Sequence, residues 1–504
     1  MVALACSMAG SACGQGDVPI PTFDGPYVFD APFEARSLAA TPPGFDLVGS
    51  GSNQSPDGFA EIAVAGELDG IVRIYRNQNL WDTLPGSSLT ILQNINVFDL
   101  IDIDTNLDGT DRITQIHFAD MNQDTFPDLL VSAVETIGFG NEIVQLGAFL
   151  VFPAIFDTFA NTFVGFDAPV VVRPELPTTG FTVADYNKDG QPDIILACVD
   201  AFGDPPLDAS RAVILKGVLV GGVLTLERQP DADYPAMFRA SANVVSGEFS
   251  LITIGGIGGG GSGTTLDFVT FGGSSGDPAD GPLVVGLGAG TGPFAFGVVS
   301  KGGTDCGSDI PGLAAGSEAV FSTGNAVNYP HPLVAFDPFA SADQSLATSD
   351  SFESVRIIHN RPRTGAFYHM CNITGSADLY KLDNCEGTQP SLLAGSFQHL
   401  VGGNLNGDAY GDLVHLYPTE ARGTFLLGRG TPDASNRILQ HICGSDLYRL
   451  NNYAPVQGSG NVSLLDQAVC ADLDNDGFDE IIISRAGVQV PGTIRVYRNS
   501  TGPQ

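Results

Sequence analysis

Carboxylates that alternate along a short stretch can surround a hard cation. In Asp472–Ser484, DLDNDGFDEIIIS, acids stand at Asp472, Asp474 and Asp476, Gly477 follows, and Glu480 comes four places after Asp476. Calcium takes about six to eight oxygens, and a tight loop can turn its side chains 1, 3 and 5 inward. A glycine at position 6 permits the sharp turn, a backbone carbonyl serves near position 7, and an acid at position 9 closes the cage. The β-branched run Ile481–Ile483 then leaves the loop as a buried strand.

The pattern recurs. Asp185–Ala197 supplies Asp185, Asn187, Asp189, Gly190 and Asp193 before Ile194–Leu196. Asp120–Ala133 supplies Asp120, Asn122, Asp124 and Asp128, with Thr125 in place of the glycine. Asn404–Leu416 supplies Asn404, Asn406, Asp408 and Asp412, with less charge and weaker expected binding. Asn53–Val64 is an eroded copy with Asn53, Ser55, Asp57, Gly58 and Glu61, for which a metal-free acidic turn with Asx-type hydrogen bonds is expected. Each loop turns directly into a strand, whereas an EF-hand needs a flanking helix on each side.

First positions at 53, 120, 185, 404 and 472 are separated by 67, 65, 219 and 68 residues, so two copies are missing where 219 spans three periods. Weak stand-ins are Gly259–Phe271, which keeps Asp267 ahead of a strand, and Lys301–Leu313, with Asp305, Asp309 and a lysine at the first position. A period near 67 residues repeated seven times predicts one toroidal array rather than several domains. One repeat of about four strands cannot bury both its faces alone, and stacking repeats round an axis solves this. The expected fold is therefore all-β, a seven-bladed β-propeller over residues 21–504 with 65–70 residues per blade.

Internal echoes place the closure. Phe29–Arg36, FDAPFEAR, matches Phe166–Arg173, FDAPVVVR, which sits where an outer strand belongs. The last repeat ends one strand short, so Phe29–Arg36 is predicted to complete it and close the ring. Gly70–Asn77, GIVRIYRN, matches Gly492–Asn499, GTIRVYRN, and Gly375–Asn384 matches Gly444–Asn452. His369 and His441 each precede a cysteine, Cys371 or Cys443, by two residues, and recurrence at one repeat position points to a structural role. Asp104–Asp111, DTNLDGTD, lies too near the next loop to head a blade and is read as an acidic hairpin tip rather than a partial calcium loop. No HExxH or Walker motif is present, and Gly255–Gly263 is Gly-rich but lacks a Lys-Ser/Thr and a following helix pattern, so it reads as a loop rather than a phosphate cradle.

Composition narrows the partners. Net charge is −35 with Lys+Arg only 22, which excludes nucleic acid and anionic membrane and favours cations or basic partners. No apolar run reaches about 18 residues, so no transmembrane helix is expected. The eight cysteines form no CxxC pair, and Cys371 with Cys385 could form a local disulfide in an oxidising compartment. Residues 1–20 read as a residual signal-like leader. Small residues before Cys6 and Cys13 resemble a bacterial lipoprotein signal, implying a lipid anchor at one of them.

The loops resemble the FG-GAP/VCBS-type repeat, in which DxDxDGxxD joins the first two strands of a propeller blade, nearer to the bacterial secreted type than to integrin α-subunit heads. The resemblance implies Ca2+ at Asp185, Asn187, Asp189 and Asp193, and at Asp472, Asp474, Asp476 and Glu480. It extends less strongly to Asp120, Asn122, Asp124 and Asp128, and to Asn404, Asn406, Asp408 and Asp412. It implies a calcium-stabilised binding or adhesion propeller at a bacterial cell surface or secreted from it, non-enzymatic, with a protein or glycan ligand. The alternative is a carbohydrate-active enzyme such as a polysaccharide lyase, whose base and charge stabiliser would come from His331, Arg356, His359, Arg361 and Arg363 gathered at the axis.

Overall fold

In a computed structural model of the chain, the described residues are 20–42, 47, 58–67, 69–101, 111–139, 142–157, 162–174, 176–185, 189–198, 211–229, 244–247, 267–271, 283–287 and 295–298. In the rest of the chain they are 333–338, 340, 345–350, 354–363, 367–371, 379–381, 399–417, 422–430, 439–442, 467–485 and 491–501. Among them the protein is all-β and antiparallel, with helix confined to Phe98–Ile101 and a single 3-10 turn at Pro85–Ser87. No helix is long and apolar enough to cross a membrane.

The described strands form six four-stranded sheets, one five-stranded sheet and one two-stranded hairpin. Sheet I runs Ala35–Ala40, Ile62–Gly66, Ile71–Asn77, Leu89–Asn96. Sheet II comprises Arg112–Ala119, Asp128–Phe139, Glu142–Phe152 and Val170–Val172; sheet III comprises Thr178–Ala184, Asp193–Cys198, Arg211–Val220 and Val223–Arg228. Sheet IV holds Val244–Gly247, Asp267–Phe271, Leu283–Leu287 and Ala295–Val298. Sheet V holds Leu333–Phe336, Ser345–Asp350, Ser354–Arg363 and Phe367–Cys371, with Leu379–Lys381 also paired to its third strand. Sheet VI is His399–Gly403, Asp412–Tyr417, Arg422–Gly428, Leu439–Ile442, and sheet VII is Ala468–Ala471, Glu480–Arg485, Pro491–Asn499, Phe23–Phe33. The first strand of each sheet lies beside the first strand of the next, and that of sheet VII lies beside that of sheet I.

Burial explains why the second strands read as unbroken apolar runs. Ile481 and Ile483 enter the core between sheets VI and VII, while Ile482 enters the core between VII and I. Leu129, Val131 and Ala133 face the core shared with sheet I, and Leu130 faces the one shared with sheet III. A strand covered on both faces has no solvent side to mark with polar residues. The core is thus a series of layers between neighbouring sheets.

The N-terminal strand closes sheet VII as the echo requires, with Phe29 opposite Ile494 and Phe23 opposite Asn499. Its bounds differ from expectation: the strand starts at Phe23, and Arg36 belongs to sheet I. Glu34 takes a left-handed φ of 50°, which ends one strand and redirects the chain into the next. The matching echo supplies the outer strand of sheet II through Val170–Val172 only. Of Asp104–Asp111, all but Asp111 lie outside the described residues. Lys301–Leu313 lies outside the described residues and falls between sheets IV and V; the loop between the first two strands of sheet V begins at Asp337. The leader with Cys6 and Cys13, and also Cys385 and Cys443, lie outside the described residues, while Cys198 is buried with Thr178 Oγ1 at 3.9 Å from its sulfur.

Neighbouring first strands approach closely. A Cβ added to Gly403 would sit 2.5 Å from Cys470 Cβ and 2.7 Å from Asp479 Oδ2 in the next sheet. Gly403→Ala is therefore expected to cost about 1–3 kcal/mol in chemical denaturation. Gly86→Ala, where nothing lies within 4 Å, should stay within about 0.5 kcal/mol.

Candidate metal centre

The loops between first and second strands share one turn. Position 6 is left-handed in Gly477 (φ +89°), Gly190 (+87°), Gly58 (+82°) and Thr125 (74°). Thr125 holds a conformation that β-branched residues avoid because Asp120 grips the turn. Asp120 Oδ1 accepts from Asp124 N at 3.1 Å and Oδ2 from Thr125 N at 2.9 Å. Asp472 does the same, accepting from Asp476 N at 3.1 Å and Gly477 N at 2.8 Å. The Asn404 loop departs: its side chain accepts from Gly407 N at 2.9 Å, and it keeps the left-handed position 4, Gly407 (φ +72°), that Gln123 (60°) and Asn475 (58°) also show, without a left-handed position 6.

The acid at position 9 has a structural task. Glu480 accepts from Leu473 N at 2.6 Å and from Asn499 N at 3.2 Å, tying the loop to the third strand. Asp412 accepts from Leu405 N and Gly428 N, and Asp128 from Met121 N and Ala154 N, at 2.8–2.9 Å. Asp193 accepts from Gly217 N at 3.1 Å. All four are buried. Burial pushes Asp128 and Asp412 up to about 7 and Glu480 up to about 9, against the pull of the backbone N–H groups.

Position 3 separates the loops chemically. Asn122 Nδ2 donates to Asp124 Oδ2 at 2.9 Å, and Asn406 Nδ2 donates to Asp408 Oδ2 at 2.8 Å, so each of these turns is laced by its own amide. Asp474 has no proton to donate. One carboxylate oxygen from each of Asp472, Asp474 and Asp476 lies within 4.8 Å of the others. Two oxygens on one calcium, at about 2.3–2.6 Å from it, can be no more than about 5 Å apart, so the group fits a single ion. The Asp474 side chain is 5 % exposed, and its Oδ1 is buried with no hydrogen-bond partner among the described residues. Its Oδ2 takes Arg498 Nε and Nη2, each at 2.9 Å. Burial, then Asp476, raises Asp474 above the usual carboxylate range, with Arg498 acting the other way. Asp476 is raised as well, burial first.

In sheet III the centre is partly described. Asp185 Oδ2 accepts from Gly190 N at 2.9 Å, and its buried Oδ1 has no partner among the described residues. Asp189 pairs with Lys216 at 2.9 Å, while Asn187 lies outside the described residues. Asn53, Ser55 and Asp57 lie outside them too.

Adjacent loops join along one rim. Asp479 N donates to Asn404 O at 2.8 Å, and Gly411 N donates to Asp337 O at 2.6 Å, the same contact one sheet earlier. Asp337 is therefore the first position of a loop that sequence reasoning missed, although it stands 67 residues before Asn404, one period away. Asn77 Nδ2 donates to Leu473 O, and Asn499 Nδ2 to Leu405 O, at 2.6 Å each, latching a third strand onto the preceding loop. Arg498 was also missed; its signal was the Arg-Asn ending shared by Gly70–Asn77 and Gly492–Asn499. Arg356, His359, Arg361 and Arg363 fall on the third strand of sheet V, away from the first strands, and His331 lies outside the described residues.

No family model and no curated protein matches the chain. Among solved structures, the soluble aldose sugar dehydrogenase of Escherichia coli in its apo-form aligns over 93% of this chain and 98% of its own, at 12% identity and a TM-score of 0.36. A likeness at that score supports no statement about the fold or chemistry of this chain.

The raised acids make stability depend on pH. Each neutral form is favoured by the fold, so the contribution is complete below the ordinary values of 3.8 (Asp) and 4.5 (Glu) and is lost as pH rises through about 7 for Asp128 and Asp412 and about 9 for Glu480. In chelator, the melting temperature should fall from pH 5 to pH 9, and Glu480→Gln should flatten the upper part of that slope.

Proposed function

We propose that this chain is a calcium-stabilised, extracytoplasmic β-propeller of seven blades that binds a ligand without transforming it. The observation that carries the reading is the group Asp472, Asp474 and Asp476, with a buried oxygen of Asp474 that no donor among the described residues reaches. Three carboxylates converging round such an oxygen repel one another, and a divalent cation offsets that repulsion more completely than the single guanidinium of Arg498. The cyclic order of first strands and the closing N-terminal strand support seven blades. The FG-GAP/VCBS-type spacing supports the same architecture.

Within this reading Asp472, Asp474 and Asp476 hold the ion, and Glu480 keeps the loop in shape. The Asp185 loop is a second centre, with Asp185, Asn187 and Asp189 as ligands, Asp193 as its brace and Lys216 reducing its charge. In the Asp120 and Asn404 loops the amides of Asn122 and Asn406 supply the cross-link that an ion supplies elsewhere, and calcium there requires each amide to turn its oxygen inward. The ion is structural when bound: it neutralises the loop and stiffens the rim. A rigid, acidic rim of loops suits recognition of a protein or glycan, since loops on a fixed scaffold commonly carry binding. The placement of Arg356, His359, Arg361 and Arg363 away from the first strands favours binding over lyase chemistry at an axis.

Calcium at about 100 times its dissociation constant should stabilise the protein by about 2.7 kcal/mol per site. Thermal unfolding with calcium and with chelator, alongside metal counting, checks this. Asp474→Asn should remove a bound ion and most of the calcium-dependent gain. An unchanged melting temperature and no bound metal would overturn the reading.

A further inference from the structure

We infer that a cation held by Asp472, Asp474 and Asp476 fastens the seam where the first and last sheets meet, with Arg498 as the positioning residue between ion and seam. The inference rests on the calcium reading above and goes beyond it, from a stiffened loop to control of ring closure.

The loop sits at the only sheet assembled from both ends of the chain among the described residues: Phe23–Phe33 pairs with Pro491–Asn499, and Glu480–Arg485 pairs with the latter's other edge. Such a sheet opens if the N-terminal strand leaves. Two tethers run from the loop to the segment that covers this strand. Leu473 O, between two of the acids, accepts from Asn77 Nδ2 at 2.6 Å. Asp474 Oδ2 holds Arg498, whose Nη1 also contacts Asp82 in the connection between the third and fourth strands of sheet I. Asp82 adjoins Trp81, which is 2 % exposed and packs on Tyr27 and Phe29 of the N-terminal strand, with ring centroids 5.8 and 6.0 Å away.

Arg498 does not stand in for the ion. The guanidinium occupies Oδ2 of Asp474 and leaves Oδ1 buried and without a partner among the described residues. A cation on the three acids fixes the Asp474 carboxylate, which in turn fixes the planar fork of Arg498 against Asp82. Coupling of this kind is reciprocal: what the ion adds to closure, closure adds to ion affinity.

Trp81 is the chain's one tryptophan, so its emission reports the seam directly. Calcium chloride is titrated into chelator-treated full chain, with binding followed by calorimetry, the seam by Trp81 fluorescence, and strand release by limited proteolysis ahead of Ala35. Fluorescence should change along the calorimetric curve, and cleavage should slow about tenfold at saturation. Asp82→Asn, at an exposed side chain, should keep the calorimetric binding curve and lose at least about half of the protection. Calcium heat with no change in emission or cleavage overturns the coupling and leaves the calcium site standing, as does full protection in Asp82→Asn. Absence of binding heat overturns both.

Discussion

A buried carboxylate at the end of each described acidic loop is the constraint on which the rest of the molecule depends. Glu480, Asp412 and Asp128 each accept one N–H from the loop and one from the third strand's side. A strand covered on both faces must bury its entry turn, and the N–H groups there need acceptors that water cannot supply. One side chain meets that need twice. Burial is opposed to its ionisation, so the brace favours a neutral or locally compensated rim, and a cation nearby is one compensation.

With the turn fixed, the sheets can stack. Apolar side chains from successive positions of a second strand enter different inter-sheet cores, so each sheet is stable only between two neighbours. The rim contacts repeat that logic in polar form: position 8 of one loop donates to position 1 of the loop before it, at Asp479–Asn404 and at Gly411–Asp337. The ring ends where its termini meet. The seam there is held by the N-terminal strand, by Trp81 over Tyr27 and Phe29, and by the last sheet's acidic loop.

The loops diverge through a small change. At Asn122 and Asn406, both at position 3, the amide donates to the carboxylate at position 5 and the turn is satisfied from within. Where position 3 is Asp474, donor becomes acceptor and an oxygen is left buried without a partner among the described residues. Loops of nearly equal acidity on paper thus differ in what they ask of solvent ions.

The sequence by itself determined the all-β class, the period, the position-6 turn and the origin of the closing strand, because these follow from local chemistry: alternating acids, a left-handed glycine, a β-branched run and an internal echo. It misjudged the strand bounds near Glu34 and missed the loop that starts at Asp337, since an eroded repeat loses its acids before it loses its backbone. Only the tertiary structure decided that Asp474 shares its carboxylate with Arg498, that Arg498 reaches Asp82, and that Trp81 covers the N-terminal strand. Those partners lie 24 residues apart in one case and 416 in the other. No local spacing encodes such contacts; they exist because closing the ring brings the two ends of the chain into one sheet.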